Sequence, residues 1–388
     1  MAESKFPFRG QGYDFIFIGA GCAALSLLMR MLKSGRFTDK RILLIDKEPK
    51  TKNDRTWCFW EMQDGFFEQL VYKKWGTISF LSDSFSSEMS IAPYQYKMIR
   101  GIDLYQHCFR EIEKHKNIDI HYGEVTKCIV QKDSIAIDIS GQTEHFNNAI
   151  VFNSVLPGKT KTPRAINLLQ HFKGWIIETP NAMFNPAQAT FMDFRVDQKR
   201  GTTFAYVLPF TQNKALAEYT LFTGSILKDE EYEKELQLYI HDFLHLDNYT
   251  VIEKEFGVIP MSTKQFQFYE DGIYNIGTVG GQTKASSGYT FRFIQKQSDL
   301  IVDHLLQNKE LGKIPATAKR FLFYDKVLLD VLYNNRATGK DIFTTLFKKN
   351  EPQQVLKFLD NESSLKEEVK IISALPTFPF LKAAFNQF

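Results

Sequence analysis

Closely spaced glycines directly after a short apolar strand constrain this chain more than any other feature. Residues 13–18 are rich in β-forming side chains, and Gly19-Ala20-Gly21-Cys22-Ala23-Ala24 follows them. An apolar helix is predicted over residues 25–33, so the order is strand, tight turn and helix. This order is typical of an α/β fold in which the turn leads from a parallel strand into a covering helix.

The spacing of the small residues matches the physical needs of a dinucleotide site. Gly19 permits the tight turn, Gly21 lets backbone amides approach a pyrophosphate at the helix start, and Ala24 keeps helix and strand close. A second apolar strand over residues 41–45 ends at Asp46, whose carboxylate is placed to bind ribose hydroxyls. A chance glycine-rich turn is the alternative, and it would leave the position of Asp46 unexplained.

The chain after Asp46 does not continue as a simple alternation of strands and helices. A helix is predicted over 103–115, and strands are predicted near 119–122, 125–131 and 149–153, with loops and hairpins between them. Insertions of this kind suit a flavin-binding fold better than a plain NAD dehydrogenase.

Composition and charge narrow the classes of function. The 388 residues carry 48 Lys and Arg against 45 Asp and Glu, so the net charge is only +3. A nucleic-acid binder uses a strong basic excess, so we expect no nucleic-acid partner. The 35 Phe residues favour either a large lipophilic ligand or an aromatic-rich core, and composition leaves both open.

We predict no metal site, because neither cysteines nor histidines show a metal-binding spacing. The cysteines form no CxxC pair, and the eight histidines show no HExxH pattern. No removable leader is evident, since the polar start lacks a charged segment leading into an apolar stretch. The apolar run over residues 15–29 is shorter than the roughly 20 residues of a spanning helix. We therefore expect a cytoplasmic protein with reduced thiols.

An ordered set of further motifs runs along the chain. The most specific is Asp54-Arg55-Thr56-Trp57-Cys58-Phe59-Trp60, and shorter motifs follow at 191–194 (FMDF), 206–210 (YVLPF), 217–220 (AEYT), 257–261 (GVIPM), 280–281 (GG) and 286–289 (SSGY). By this set, the sequence resembles the bacterial lycopene cyclase family over nearly its whole length. It departs from the family at Lys284-Ala285, where a His-Pro pair is common, and at Thr278, where related flavoproteins carry Asp.

The resemblance implies a mixed α/β fold with a Rossmann-like FAD-binding domain of the glutathione-reductase or hydroxylase type. That domain would comprise residues 1–154 and 266–306, with a β-sheet substrate domain over 155–265 and a C-terminal helical region over 307–388. The resemblance also implies that FAD acts in its reduced form, with NAD(P)H as electron donor. Cofactor contacts are expected from Gly19, Gly21, Ala24, Asp46, Arg55, Arg100, Gly280 and Gly281.

The family's reaction implies an acid in an apolar site. A proton added to the terminal alkene of lycopene gives a tertiary cation, the neighbouring double bond captures it, and proton loss gives the ring. Glu218 corresponds to the acidic residue of the family's strand motif, and alternation places it on one face with Leu216 and Thr220. Burial beside a negative charge would keep Glu218 protonated at neutral pH. A solvent-facing strand glutamate is the alternative.

Four further residues are weaker candidates on the substrate side. Asp193 either takes a catalytic or orienting role or accepts hydrogen bonds at a strand end. Trp57 and Trp60 either line a carotenoid tunnel, with ring faces that stabilise a cation, or pack beneath the cofactor. Pro260, in the fourth motif after the Trp-rich string, is expected to contact substrate.

The C-terminal quarter predicts contact with a membrane surface. Residues 319–333 have amphipathic helical spacing, and Ser364-Leu365-Lys366-Glu367 fits a capping box that opens another helix. Residues 300–388 carry 13 Lys and Arg against 10 Asp and Glu, and nine Phe lie from position 321 onward. Because a carotenoid lives in the bilayer, we expect peripheral contact with the inner face of the cell membrane. A helical cap over the substrate domain is the alternative.

Two other classes of function share the glycine fingerprint. An FAD-dependent monooxygenase or an isoprenoid reductase of the same superfamily would keep Gly19, Gly21 and Asp46 but consume reductant with each product. A non-enzymatic lipid carrier on this fold would bind a lipid and leave it unchanged. The ring type, the number of ends closed and the oligomeric state stay open.

Overall fold

A computed structural model describes residues 12–131, 134–155 and 165–387, and these residues form nine α-helices and 19 strands in four sheets. This is the mixed α/β architecture that the sequence predicts. Residues 1–11, in the polar N-terminal segment, lie outside the described ranges.

The strands in chain order are β1 (Phe15–Ile18), β2 (Ile42–Asp46), β3 (Thr56–Glu61), β4 (Lys73–Trp75), β5 (Thr77–Ser82), β6 (Phe85–Ser90), β7 (Gln95–Arg100), β8 (Ile118–Tyr122), β9 (Val125–Val130), β10 (Ile135–Ile139), β11 (Gln142–Phe146), β12 (Ile150–Asn153), β13 (Asn167–Glu178), β14 (Gln188–Asp193), β15 (Thr202–Pro209), β16 (Lys214–Thr223), β17 (Thr250–Ser262), β18 (Tyr269–Glu270) and β19 (Ile273–Asn275). The helices are α1 (Cys22–Ser34), α2 (Gly101–Ile112), α3 (Asp229–Asp242), α4 (Phe291–Leu306), α5 (Lys319–Tyr333), α6 (Gly339–Lys349), α7 (Pro352–Leu359), α8 (Leu365–Ala374) and α9 (Thr377–Phe385).

The glycine turn lies in a six-stranded sheet of order β18-β19-β12-β1-β2-β8, in which all neighbours are parallel except β18 with β19. Helix α1 begins at Cys22, three residues before its predicted start, because the turn leads into it without a linker. It buries ten of its residues and ends at Gly35, which adopts a left-handed conformation. Helix α4 packs beside α1, and Arg30 links the two by donating to Asp299 and Gln295.

The predicted elements after Asp46 are present with shifted ends. The helix predicted over 103–115 is α2, which begins two residues earlier and ends at Ile112. Strand β9 pairs with β10 and β10 with β11 in a three-stranded antiparallel sheet, while β3 and β4 both pair with β7 in another. The second of these small sheets contacts α4 through β3 and strand β5 of the large sheet through β7.

The large sheet has seven strands in the order β17-β13-β16-β15-β14-β5-β6. Side chains alternate along β16 as predicted: Leu216 and Phe222 pack in the core beneath the C-terminal helices, whereas Tyr219 and Leu221 pack on the opposite face with α3. Glu218 and Thr220 share the face of Leu216. Strands β5 and β6 join this sheet through β14, although they precede residue 155 in the chain.

The C-terminal residues form five helices, α5 to α9, whose apolar faces close the core of the large sheet. Helix α5 has the predicted bounds, and the capping box is present: Ser364 accepts from the Glu367 amide while Glu367 accepts from the Ser364 amide. Within the described ranges, no helix is both long enough and apolar enough to cross a bilayer.

Candidate active site

A cavity of about 280 Å³ lies where the large sheet meets β3, β7 and the start of α4. Most of its wall is aromatic or aliphatic, and the wall also includes two glutamates, Glu218 on β16 and Glu255 on β17. The residues that line it include Arg55, Thr56, Trp57, Cys58, Tyr96, Phe172, Tyr206, Leu208, Leu216, Glu218, Glu255, Phe256, Val258, Pro260, Thr278, Ser287, Gly288, Tyr289, Thr290 and Phe291.

The structure brings the residues of the predicted dinucleotide turn together at one edge of the six-stranded sheet. Gly19 has a φ of +90°, and a Cβ there would lie 2.4 Å from the Ser154 Oγ. Gly21 forms the N-cap of α1, and no atom lies within 4 Å of the place where its Cβ would be. Ala24 is fully buried, and the Asp46 carboxylate accepts from the Ala20 amide at 2.6 Å.

These features fit the pyrophosphate and ribose of a dinucleotide cofactor. Helix α1 has no side-chain cap and no acidic residue in its first turn, so its N-terminal amides are open to an anion. Asp46 also pairs with Lys50 at 3.0 Å and accepts from the Glu48 amide at 3.3 Å. A carboxylate offers more lone pairs than these contacts use, so Asp46 retains capacity for a ribose hydroxyl.

A second helix N-terminus points at the cavity. The chain turns at Gly280, whose Cβ would lie 2.1 Å from the Asn275 carbonyl oxygen, and at Gly281, which has a φ of +78°. It then reaches α4, whose first turn holds no acidic residue. The Ser287 Oγ is buried beside the cavity with no hydrogen-bond partner among the described residues. An acceptor such as a flavin carbonyl would satisfy this hydroxyl.

The two arginines expected at the cofactor occupy different places. Arg55 lines the cavity and is exposed. Arg100 lies outside the cavity lining, where it makes a bidentate pair with Asp103 at 2.6 and 2.8 Å and lies over the Tyr72 ring. A cofactor role for Arg100 stays a prediction.

The two tryptophans also differ in position. Trp57 and Pro260 line the cavity. Trp60 is buried behind the wall, where its indole donates to the Leu356 carbonyl at 3.1 Å and its ring lies 4.5 Å from that of Tyr289. Trp60 therefore packs against Tyr289, which lines the cavity.

Glu218 lies on the cavity wall with its carboxylate screened from water. It is 9% exposed, and the Thr220 hydroxyl donates to its Oε1 at 2.8 Å. Burial raises the pKa of Glu218 well above its ordinary value, and the negative charge of nearby Glu255 adds a smaller rise. This shift favours the protonated form of the carboxyl group, which is the form that a general acid needs.

Asp193 lies away from the cavity. Its carboxylate is fully buried and accepts from the Arg195 guanidinium at 2.6 and 2.9 Å and from the Tyr239 hydroxyl at 3.0 Å. Tyr239 belongs to α3, which covers the opposite face of the large sheet. A catalytic or orienting role for Asp193 stays a prediction.

Comparison with known proteins agrees with this arrangement. The family model described as lycopene cyclase protein matches residues 14–385, almost the whole chain. The chain belongs to the lycopene cyclase family. A curated lycopene β-cyclase from Pantoea ananas is 25% identical over 262 residues, and the alignment covers 64% of this chain and 63% of that protein. The matched part is thus a little under two thirds of the relative's length.

Solved structures share the fold of this lycopene cyclase family member. A geranylgeranyl bacteriochlorophyll reductase-like protein from Thermoplasma acidophilum has a TM-score of 0.61 at 12% identity, covering 97% of this chain and all of that one. A flavoprotein/dehydrogenase from Cytophaga hutchinsonii gives 0.60 with the same identity and coverage. A flavin-dependent brominase gives 0.61, covering 94% of this chain and 98% of that one. These likenesses confirm the predicted fold class.

Sequence reasoning missed several features of the site in this lycopene cyclase family member. Glu255 faces the cavity from β17, and the only sequence signal for it is the alternation of Val251, Glu253 and Glu255 along that strand. Lys284, where the family often has His, is buried and donates to Asp325 at 2.7 Å and Asn361 at 2.8 Å. It therefore fixes the loop before α4 to the C-terminal helices. Among the described residues, no cluster of three or more His, Cys, Asp or Glu is arranged to hold a metal ion.

Proposed function

We propose that this family member is a lycopene β-cyclase, which closes the acyclic ends of lycopene to β-ionone rings, giving γ-carotene or β-carotene, without net redox change. The observation that carries the proposal is a buried glutamate with a raised pKa on the wall of an aromatic cavity, beside a helix N-terminus suited to a flavin. An isomerisation of this kind requires a strong acid and a site that excludes water.

The proposed cofactor is FAD, reduced by NAD(P)H and held without a covalent bond. Gly19, Gly21, Ala24 and Asp46 would hold its nucleotide part. The segment of Gly280 and Gly281, the start of α4 and Arg55 would hold the flavin part. When bound in its reduced form, FAD supplies negative charge close to the positive charge that develops on the substrate.

The chain's own groups would manage the proton and the cation. Glu218 would donate its proton to the terminal alkene carbon of lycopene, and its burial favours the protonated form that this donation requires. Trp57, Tyr206 and Tyr289 line the cavity, and their aromatic rings would stabilise the resulting cation. Burial raises the pKa of both phenols, so these tyrosines stay neutral and do not trap the cation as phenolates. Proton loss from the ring carbon would restore the enzyme.

We divide the chain for this function as the sequence suggests. Residues 1–154 and 266–306 would bind the cofactor, 155–265 would form the substrate domain and 307–388 would close it. In support, β19 pairs with β12 in the sheet of the glycine turn. Strands β5 and β6 are an exception to this division, because they lie within the first segment but pair into the sheet of the substrate domain.

The reductant balance tests the proposed function against the rival oxidoreductases. Purified protein with FAD, given lycopene and a trace of NAD(P)H without oxygen, should form β-ringed carotenes of unchanged mass in excess of the reductant consumed. Pigment chromatography and mass spectrometry measure the product, and absorbance measures NAD(P)H. Consumption of one NAD(P)H per product would instead indicate a monooxygenase or reductase, and bound but unchanged lycopene would indicate a lipid carrier.

We also propose that helices α8 and α9 dock the protein on the inner face of the cell membrane. Phe378, Leu381 and Phe385 are 78%, 52% and 76% exposed, and their spacing puts them on one face of α9. Leu365 and Val369, one turn apart on α8, are 64% and 67% exposed.

The charges on these two helices favour an anionic surface. The acidic groups of α8 are paired: Glu367 with Lys357 and Glu368 with Arg320. Lys366 and Lys382 are exposed on the same helices. The surface around the apolar side chains is therefore net basic, as in proteins that bind anionic lipid without a spanning helix.

Liposome binding tests the docking surface. The protein should sediment with anionic liposomes in low salt, and Phe378→Ser with Phe385→Ser should reduce the bound fraction by a factor of about ten or more, because each buried aromatic side chain contributes roughly 1.5–3 kcal/mol. The matched control is Tyr333→Ser, which removes an exposed aromatic from α5. Wild-type protein that stays in the supernatant with liposomes present would contradict the proposal.

A further inference from the structure

Two carboxylates face each other across a glycine in the large sheet. Gly174 on β13 pairs with Glu218 on β16 and also with Glu255 on β17, so both glutamates lie on the same face on either side of it. A Cβ at Gly174 would lie 2.9 Å from the Glu255 Cγ and 3.0 Å from its Oε1. The glycine therefore leaves the space in which the two carboxyl groups meet.

The hydrogen-bond donors around the pair leave one oxygen without a partner. Thr220 donates to the Glu218 Oε1 at 2.8 Å, and Thr56 donates to the Glu255 Oε2 at 2.6 Å. No donor among the described residues reaches the Glu255 Oε1, although this atom is shielded from solvent. A proton on Glu218 would supply the missing donor.

The groups around the pair offer little positive charge to balance two carboxylates. The ionisable side chains that face it from the neighbouring elements are Asp54, Arg55 and Cys58 from β3 and the segment before it, Tyr96 from β7, Tyr206 from β15, Glu253 from β17 and Tyr289 from the loop before α4. Burial raises the pKa of the Cys58 thiol and of these three phenols, so they stay neutral. Of the described side chains that face the pair, only Arg55, on the exposed side, is a cation.

We propose that Glu218 and Glu255, both on the cavity wall, hold one proton between them, and that Glu255 is a positioning residue that keeps this proton on Glu218 until the substrate accepts it. The inference rests on the proposed function, in which Glu218 is the acid. When the proton passes to the terminal alkene carbon, the pair becomes two carboxylates. The proton released from the ring carbon of the cation then returns to the pair, so no electrons are gained or lost.

The directions of the two pKa shifts agree with this assignment. Burial and the neighbouring negative charge raise the pKa of Glu218 well above its ordinary value. Burial also raises the pKa of Glu255, but the Thr56 hydroxyl and the proton of Glu218 oppose the rise. Glu218 is therefore the site of the shared proton, and Glu255 is the carboxylate that accepts from it.

Infrared spectroscopy tests the shared proton without cofactor or substrate. The purified protein should show the carbonyl band of a protonated carboxylic acid at neutral pH, and Glu218→Gln should remove it. Glu255→Gln removes the neighbouring charge, so the band should disappear at a pH lower by about one unit or more. The control Glu253→Gln, two residues along the same strand and bonded to Asn53, should move the band less than Glu255→Gln does, because Glu255 is the neighbouring charge that raises the pKa of Glu218.

The pH dependence of ring formation gives a second measurement. Activity is lost as Glu218 deprotonates. In Glu255→Gln, the alkaline limb of the pH–activity profile should therefore shift to lower pH by the same number of pH units as the loss of the infrared band. Gly174→Ala, which pushes the carboxyl groups apart, should shift both in the same direction if Glu255→Gln fails to fold. If Glu255→Gln has the infrared band and pH profile of the wild type while Glu218→Gln is inactive, the shared proton is overturned but the proposed acid is not. Full activity in Glu218→Gln would overturn the proposed acid.

Discussion

Replacing Glu218 by glutamine is expected to lower the rate of ring formation by about 10²–10⁴-fold, the usual contribution of a positioned general acid. Glutamine has nearly the same shape, and its carbonyl oxygen is able to accept the hydrogen bond that Thr220 donates to Glu218. The substitution also removes the cost of a buried carboxyl group beside Glu255. The variant should therefore fold and keep FAD while losing the proton donor.

Single-turnover conversion of lycopene under reducing, anaerobic conditions measures this effect, with flavin content and thermal unfolding as controls. Asp193→Asn separates the two candidate acids, because Asp193 is bonded to Arg195 and Tyr239 on the far face of the sheet. We expect Asp193→Asn to lower stability more than it lowers the rate per folded, flavin-loaded molecule. Near-normal ring formation by Glu218→Gln, together with loss of it in Asp193→Asn, would reverse the assignment of the acid.

Local patterns predicted the parts of this molecule that neighbouring residues determine. The glycine turn needs only a strand before it and a helix after it, and Asp46 ends the next strand, so this order of elements was evident in about 30 residues. The apolar alternation of β16 placed Glu218 on the inner face, since a strand has a period of two. The same reasoning gave the bounds of α5 and the capping box at Ser364.

The partner of Glu218 depends on the register of distant strands, which no local pattern specifies. Gly174, Glu218 and Glu255 are brought side by side only because β13 pairs with both β16 and β17. Composition cannot separate Asp193 from Glu218 either, since both are acidic residues in apolar strands. The two residues differ in the face of the sheet to which each side chain points, and Tyr239 on α3 donates a hydrogen bond to Asp193.

Replacing Gly21 by valine is expected to abolish FAD binding and leave the fold intact. The Gly21 backbone is extended, with φ −84° and ψ −177°, which valine adopts readily. No atom lies within 4 Å of its Cβ position, so the side chain meets no clash in the protein itself. It would instead fill the space through which a pyrophosphate approaches the amides of α1. We expect at least about 100-fold weaker binding, equal to about 3 kcal/mol.

The neighbouring Gly19 would not give so clear a test. Its φ of +90° and the 2.4 Å approach of Ser154 mean that any side chain there distorts the turn, so loss of FAD and loss of fold would occur together. Gly76→Val is the matched control for Gly21→Val, because Gly76 is exposed and also has open space at its Cβ position. Flavin absorbance, titration with FAD and circular dichroism should show an empty, folded Gly21→Val protein beside a yellow Gly76→Val protein. Retention of FAD by Gly21→Val would contradict the cofactor assignment at α1, because the pyrophosphate would then not bind at the start of that helix.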